Sequence, residues 1–410
     1  MDIPGLPARR AALKLVDAVL RRGETLDQAA HNAVQGVAAD SDRALARAIA
    51  AEALRWQTDF DALIDSATAQ PLPDDAKPRA VLRLMLAQWL RLGTPPHAVV
   101  ATALPLLVGG PKRLAHGVFA TLTRRGASLP DAPSLPPAVA ARWGERAGAI
   151  AAALAEPPPL DLTLKDAGQT AYWAEQLGGV SLMPGHLRLQ RGEMVDRLPG
   201  YREGEWWVQD IAASLPARLI GKGPGRALDL CAAPGGKTLQ LAAAGWEVTA
   251  LDISAKRLER LQTNLDRCGI AAQVVAADAL QWEPDAPFDA ILLDAPCTAT
   301  GTCRRHPDVL HRIGERQIAD MALLQQALLE RAARWLAPGG RLVYAVCSIE
   351  PAEGEQQAAR VALPADPVRA DELPQGLVPA ANGWVRTDPG MLRDSNGLDG
   401  FFIARWKAAQ

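Results

Sequence analysis

The stretch that most restricts how this chain can fold is Ala227-Leu-Asp-Leu-Cys-Ala-Ala-Pro-Gly-Gly-Lys-Thr238. A short buried run, Ala227 to Leu230, passes through Pro234, Gly235 and Gly236 into a helix expected to start near Lys237. Paired glycines between a strand and a helix let a ligand approach bare backbone, and the first helical amides point at it. The alternation then repeats. Glu247-Val-Thr-Ala-Leu-Asp252, Gln273-Val-Val-Ala-Ala-Asp278 and Phe288-Asp-Ala-Ile-Leu-Leu-Asp294 read as strands that each end in an acid, and residues 341–345 read as a fifth strand. Helices are expected from Ser254 to a stop at Gly269, and over residues 315–336 before Pro338-Gly-Gly340. From about residue 209 this pattern predicts an α/β domain with a mostly parallel sheet and crossover helices. Short β-like segments follow between residues 370 and 408.

Upstream the periodicity is different. Leu45, Ile49, Trp56, Phe60 and Leu63 recur at helical steps after a possible cap at Ser41, and Leu82, Met85, Leu86, Trp89 and Leu90 repeat the pattern after Pro78. They predict the core of an all-helical domain over residues 1–130. A Pro-rich stretch, residues 129–137, follows it, then a short helix over 138–154 and a strand at Pro157-Pro-Pro-Leu-Asp-Leu-Thr-Leu164. Residues 131–208 read as a linker helix and a small mixed α+β module, with Arg188, Arg191, Arg197 and Arg202 as candidate phosphate contacts. Residues 209–410 form the α/β domain.

Charge is not decisive. The chain carries a net charge of -2, but residues 1–130 hold 16 Lys+Arg against 12 Asp+Glu. That modest excess fits either a polyanion contact or a solvated helical surface. The five cysteines, Cys231, Cys268, Cys297, Cys303 and Cys347, include no Cys-x-x-Cys pair, so neither zinc nor a disulfide framework is expected. Arg9, Arg10, Lys14 and Asp17 interrupt any signal-peptide core. A cytoplasmic monomer with reduced thiols, no membrane span and no metal is expected.

In parallel sheets ligands sit at the carboxyl ends of the strands. Here five successive ends carry the Gly turn, Asp252, Asp278, Asp294 with Cys297, and Cys347. Asp252 follows Leu230 by 22 positions, the spacing of an acid that accepts hydrogen bonds from both ribose hydroxyls. The turn lacks Gly-x-Gly-x-x-Gly, and the full Gly-x-x-x-x-Gly-Lys-Ser/Thr phosphate loop is absent as well, so a ligand without phosphate, such as S-adenosyl-L-methionine, fits better. Asp278 would then face the adenine amino group and Asp294 the methionine part and a reacting base. Two thiols at neighbouring strand ends suit pyrimidine chemistry: a thiolate added to carbon 6 makes carbon 5 nucleophilic enough to accept a methyl group. The residues alone do not choose between Cys297 and Cys347 as the attacking group.

The run Asp229-Leu-Cys-Ala-Ala-Pro-Gly-Gly-Lys-Thr238, the loop Asp294-Ala-Pro-Cys-Thr-Ala-Thr-Gly301 with Arg304-Arg-His-Pro-Asp308, and Tyr344-Ala-Val-Cys-Ser348 resemble the Nop/Sun RNA cytosine-5 methyltransferases. The N-terminal domain resembles the NusB-type RNA-binding domain. With Pro184-Gly-His-Leu-Arg188 and Gly204-Glu-Trp-Trp-Val-Gln-Asp210, the whole chain is similar to the bacterial Fmu/Sun (RsmB-like) branch. The resemblance implies a Rossmann-like methyltransferase domain that acts on a cytosine of small-subunit (16S) ribosomal RNA. It implies that Cys347 attacks and that Cys297 assists product release. It also implies that the methyl donor is held by Cys231, Ala232, Ala233, Pro234, Gly235, Gly236 and Lys237 with Asp252, Asp278 and Asp294. Two positions depart from the family pattern. Val346 stands for the usual Thr beside the nucleophile, which puts fine positioning in question, and Cys303 stands where an apolar residue is common and could be oxidised.

Overall fold

Alanine and leucine stripes at helical spacing build the first of two units, Met1–Glu156 with Cys303–Ile313. The computed structural model describes residues 3–190, 192 and 194–410, so Arg191 lies outside the described residues. In this unit the helices Leu6–Arg22, Asp40–Arg55, Lys77–Leu86 and Gly109–Arg124 bury Leu15, Ile49, Met85 and Phe119 in one core. The two expected stripes both face that core; Trp56, Phe60 and Leu82 are fully covered, while Leu45, Leu63, Trp89 and Leu90 pack at its edge. Ser41 is not the cap it promised to be. The helix begins two residues earlier than such a cap requires, at Asp40 behind Ala39, with no side chain capping it. The expected 138–154 helix is two helices, Pro137–Trp143 and Ala147–Leu154, because Gly144 breaks the first at positive φ.

Much of the basic excess of this unit is spent internally. Arg79 and Arg83 both pair with Asp61, at 3.0 and 2.7 Å, and Glu52 holds Arg55 at 3.0 Å and Arg91 at 2.9 Å. Arg55 also donates to the carbonyls of Leu154 and Arg304, tying the segment 303–313 into the helical core.

The second unit comprises Pro157–Thr302 and Gly314–Gln410. It opens with a three-stranded antiparallel sheet in which β1 (Leu160–Leu164) lies between β2 (His186–Leu189) and β3 (Trp206–Val208). Arg188, expected to be available to phosphate, is buried instead. It forms a two-pronged pair with Asp161, 2.7 Å on each arm, and Asp161 also accepts the Ile211 amide at 3.1 Å. Burial alone would raise the Asp161 pKa, but the Arg188 guanidinium outweighs it and holds the carboxyl well below the usual range. Arg197 and Arg202 are exposed.

The main sheet contains β4 (Arg226–Leu230), β5 (Glu247–Asp252), β6 (Gln273–Ala276), β7 (Phe288–Asp294), β8 (Leu336–Val346), β9 (Val385–Thr387) and β10 (Phe401–Lys407), in the order β6-β5-β4-β7-β8-β10-β9. The first five are parallel; β10 and β9 close the edge antiparallel. Alternate residues feed two apolar layers, as a strand covered on both faces requires. Val343 and Ala345 of β8 pack with the helix Ile211–Ile220, and Leu342, Tyr344 and Val346 pack with the helix Glu315–Arg334. Two expected boundaries shift. β6 stops at Ala276, two residues short of Asp278, and the long helix ends at Arg334, so that Leu336 and Pro338-Gly-Gly340 belong to β8. Strand order reverses around β4, with β5 on one side and β7 on the other, so a crevice opens at the carboxyl ends of these strands.

Candidate active site at the strand ends

β4 leaves the sheet through an unusual piece of backbone. Cys231 adopts φ 64°, Ala233–Pro234 is a cis peptide, and Gly235 adopts φ 106°. A Cβ on Gly235 would stand 2.7 Å from Leu261 Cγ, so the helix Ala255–Cys268 can pack against the turn only if that position is glycine. The amides of Cys231 and Ala232 both donate to the Leu251 carbonyl, at 2.8 and 3.1 Å. The Ala233 amide donates to Asp252 Oδ2 at 3.2 Å, while Oδ1 accepts from Ser254 at 2.9 Å. Asp252 is therefore a brace between the turn and β5 as well as a strand-end acid, and it is 1% exposed. Asp278 sits beyond the end of β6, where its carboxylate caps the next turn by accepting from the Leu280 amide at 2.9 Å.

Lys237 is the second residue of the helix Gly236–Ala243, and its ammonium lies 2.7 Å from Asp294 at the end of β7. Burial opposes the charge on Lys237, but Asp294 outweighs burial and the neighbouring Cys347 adds to it, so its pKa is raised. Beneath the turn lies Asp229. Burial pushes its pKa up to about 7, against the Thr238 hydroxyl that donates to Oδ2 at 2.6 Å; the charges of Asp294 and Asp252 raise it further. Its Oδ1 has no hydrogen-bond partner among the described residues. Asp294 paired with Lys237, Asp252 with Arg257 at 3.4 Å, and Asp229 beneath them make an acid-lined site that suits a cationic ligand better than a pyrophosphate. A sulfonium compound with a ribose fits this donor set; a dinucleotide does not.

The thiols lie at the next two strand ends. Register pairs Asp294 of β7 with Ala345 of β8, so Cys297 and Cys347 leave adjacent strands side by side. Their sulfurs are 3.4 Å apart and half-buried. The hydrogen bond to Cys347, burial and the charges of Cys347 and Glu353 hold the Cys297 pKa well above the ordinary thiol range. Cys297 thus keeps its proton and can donate it toward the Cys347 sulfur. The Gly301 amide donates to the Cys347 carbonyl at 3.0 Å, and a Cβ on Gly301 would collide with the Gly400 carbonyl at 2.0 Å. This close approach welds the 297–302 loop to the start of β10.

The expected donor-site and thiol positions lie along the ends of β4 to β8, apart from Asp278, which is set back by its cap. Val346 is fully buried in the apolar layer with Tyr344 and Phe402, the layer against which Cys297 also packs. Cys303, expected as an oxidisable loop thiol, is fully buried in the first unit. Sequence reasoning missed Glu353, which is completely buried and accepts from the Thr298 amide at 2.9 Å, from the Thr298 and Ser348 hydroxyls, and from Gln325 Nε2 at 3.1 Å. Nothing in Glu350-Pro-Ala-Glu-Gly-Glu355 sets it apart from its acidic neighbours; only the tertiary contacts do.

Comparison with known proteins gives a consistent result. Residues 220–407 match the family described as 16S rRNA methyltransferase RsmB/F, and residues 6–108 match the NusB family. The chain is 36% identical to ribosomal RNA small subunit methyltransferase B of Xylella fastidiosa, with 98% of each chain covered. It is 34% identical to the protein of the same name from Klebsiella pneumoniae, over 97% of each chain. The crystal structure of a methyltransferase homolog from Pyrococcus horikoshii covers 70% of this chain and 98% of its own, with 27% identity and a TM-score of 0.56.

Proposed function

The chain belongs to the RsmB/F family of 16S rRNA methyltransferases, and from that premise we propose that it methylates carbon 5 of a cytosine in 16S ribosomal RNA, with Cys347 as nucleophile. S-adenosyl-L-methionine, when bound, supplies an electrophilic methyl group; residues 231–237 with Asp252, Asp278 and Asp294 would hold it. The sulfur of Cys347 adds to carbon 6 of the flipped base, and the electron pair moved onto carbon 5 takes up the methyl group. A water molecule then takes the carbon 5 proton, the electron pair left behind restores the carbon 5–carbon 6 double bond, and the carbon 6–sulfur bond breaks, returning Cys347 as thiolate. Cys297, protonated and in hydrogen-bond contact, stabilises that thiolate as it leaves. The 3.4 Å separation of the two sulfurs carries this reading, because attack and release need two thiols at one edge of the base.

We assign RNA contact to residues 1–130 and to the small module within 131–208, with methyl transfer in 209–410. We further propose that the protein acts as a monomer in the cytoplasm; among the described residues no helix is long and apolar enough to cross a membrane.

Substitution of the two thiols tests the assignment. Cys347→Ala should abolish methyl transfer and leave no covalent adduct, a loss of more than about 10³-fold. Cys297→Ala should accumulate an enzyme–RNA adduct, seen as a slow band on a denaturing gel. The reverse pattern would make Cys297 the nucleophile, as in DNA cytosine methyltransferases. Full activity in both variants would rule out the two-thiol route, and an absence of methyl transfer by the wild-type protein that still binds RNA would leave only an RNA-binding role.

A further inference from the structure

We propose that Glu353 is a positioning residue of this reaction: its carboxylate holds the loop that carries Cys297 and the turn that carries Cys347 in one fixed register. The inference rests on the two-thiol reading above and adds to it a residue that touches neither sulfur. The partners of Glu353 carry the argument. Thr298, which follows Cys297, gives it both an amide and a hydroxyl; Ser348, which follows Cys347, gives it a hydroxyl. Gln325 from the helix Glu315–Arg334 donates to Glu353 and, through the same nitrogen, to the carbonyl of Pro296 at 2.8 Å, one residue before Cys297. A single carboxylate thus gathers donors from the residues directly beside both thiols.

Glu353 is itself fixed. The Tyr344 hydroxyl donates to its carbonyl at 2.5 Å, and its amide donates to the Glu350 carbonyl at 3.1 Å. Thr300 completes the clamp by accepting the Ile349 amide at 3.1 Å and lying 3.2 Å from the Ser348 hydroxyl. A fully buried carboxylate whose bonded donors are all uncharged is an expensive way to fill space, and an apolar side chain would stabilise a mere core position more cheaply. Here the acid is kept where two loops of different origin, from β7 and from β8, must agree to within a sulfur–sulfur contact. Its negative charge also contributes to the proton's staying on Cys297.

Glu353→Gln in the full-length protein tests this, because glutamine keeps the shape but turns an amide donor toward groups that are themselves donors. Melting temperature, donor affinity by calorimetry, and kcat and KM on a 16S rRNA fragment are read together. The expected result is kcat reduced about 10²-fold, as a misplacement of the reacting groups produces, with donor affinity and KM for RNA within about twofold of wild type. Thr298→Val and Ser348→Ala, each cutting one arm, should lower kcat less, and adding either to Glu353→Gln should cost little more. A folded Glu353→Gln protein with wild-type kcat would overturn the proposal. So would a parallel loss of melting temperature, donor affinity and kcat, which marks general fold support. If Glu353→Gln does not fold, wild-type kcat in both single-arm variants overturns it instead. Failure of the underlying reading shows elsewhere: Cys347→Ala would still form adduct.

Discussion

The two halves of the strand-end crevice are built in different ways. The donor half, at β4 and β5, is made from backbone: a left-handed cysteine, a cis peptide and a glycine that admits no side chain, pinned to Asp252 through the Ala233 amide. Its parts lie within 26 residues of one another, counted from Leu228 to Ser254. The thiol half, at β7 and β8, is made from side chains. Cys297 and Cys347 are 50 positions apart, and their register depends on Glu353, Thr298, Ser348, Thr300 and Gln325. Binding geometry is thus written in local turn chemistry, and reaction geometry in a buried polar network. Lys237, ion-paired with Asp294 and close to Cys347, joins the halves.

The substitution that separates them most sharply is Asp252→Ala. It removes the acid expected to hold both ribose hydroxyls, each worth roughly 1.5 to 3 kcal/mol if charge-assisted, and it releases the Ala233 amide from its brace. Donor affinity by calorimetry should therefore fall steeply. The thiols should be untouched, so adduct formation with RNA at saturating donor should persist. Unchanged affinity would remove Asp252 from the donor half, and loss of adduct at saturating donor would mean that the halves are not independent.

That difference also explains what was legible beforehand. Asp252 and the Gly235-Gly236 turn could be read because their signals are local: a spacing, a glycine pair, a strand ending in an acid. The β7 and β8 thiols could be placed at neighbouring strand ends for the same reason. Asp278 reads as a strand end although β6 stops before it, since a carboxylate that caps its own turn looks like any polar strand end in sequence. Arg188 looks available to phosphate in the sequence because its partner Asp161 lies on another strand. Glu353 left no trace at all, because a buried acid in an acidic stretch is recognised only by what reaches it from elsewhere.

A smaller effect probes the thiol half. Val346→Thr would install the hydroxyl usual at that position, in an apolar layer beside Tyr344 and Phe402. A buried hydroxyl without a partner costs about 1 to 3 kcal/mol, so the melting temperature should fall while kcat stays at the wild-type level. A rise in kcat would show that this side chain does reach the reacting base, and the contrast between a backbone-built and a side-chain-built half would then extend to the residue next to the nucleophile.

The last change is a slope with pH, and it concerns the floor shared by both halves. Asp229 ionises freely at 3.8 in an unfolded chain, whereas burial lifts it to about 7 in the folded one. A carboxyl whose pKa is raised by folding binds its proton more tightly in the native state. Its contribution to stability is complete below about pH 4 and is lost as the pH rises through about 7. Asp229→Asn has no such proton, so wild type should lose stability relative to this variant over that interval, by at most about 1.4 kcal/mol per pH unit. The comparison is made from melting temperatures of the two proteins between pH 5 and pH 8, an interval set by the same linkage. Parallel curves would mean that Asp229 is ionised in the folded protein throughout, held by Lys237 despite its burial. The acid cluster would then carry a full extra negative charge beneath the turn, and its preference for a cationic ligand would be stronger than the present geometry requires.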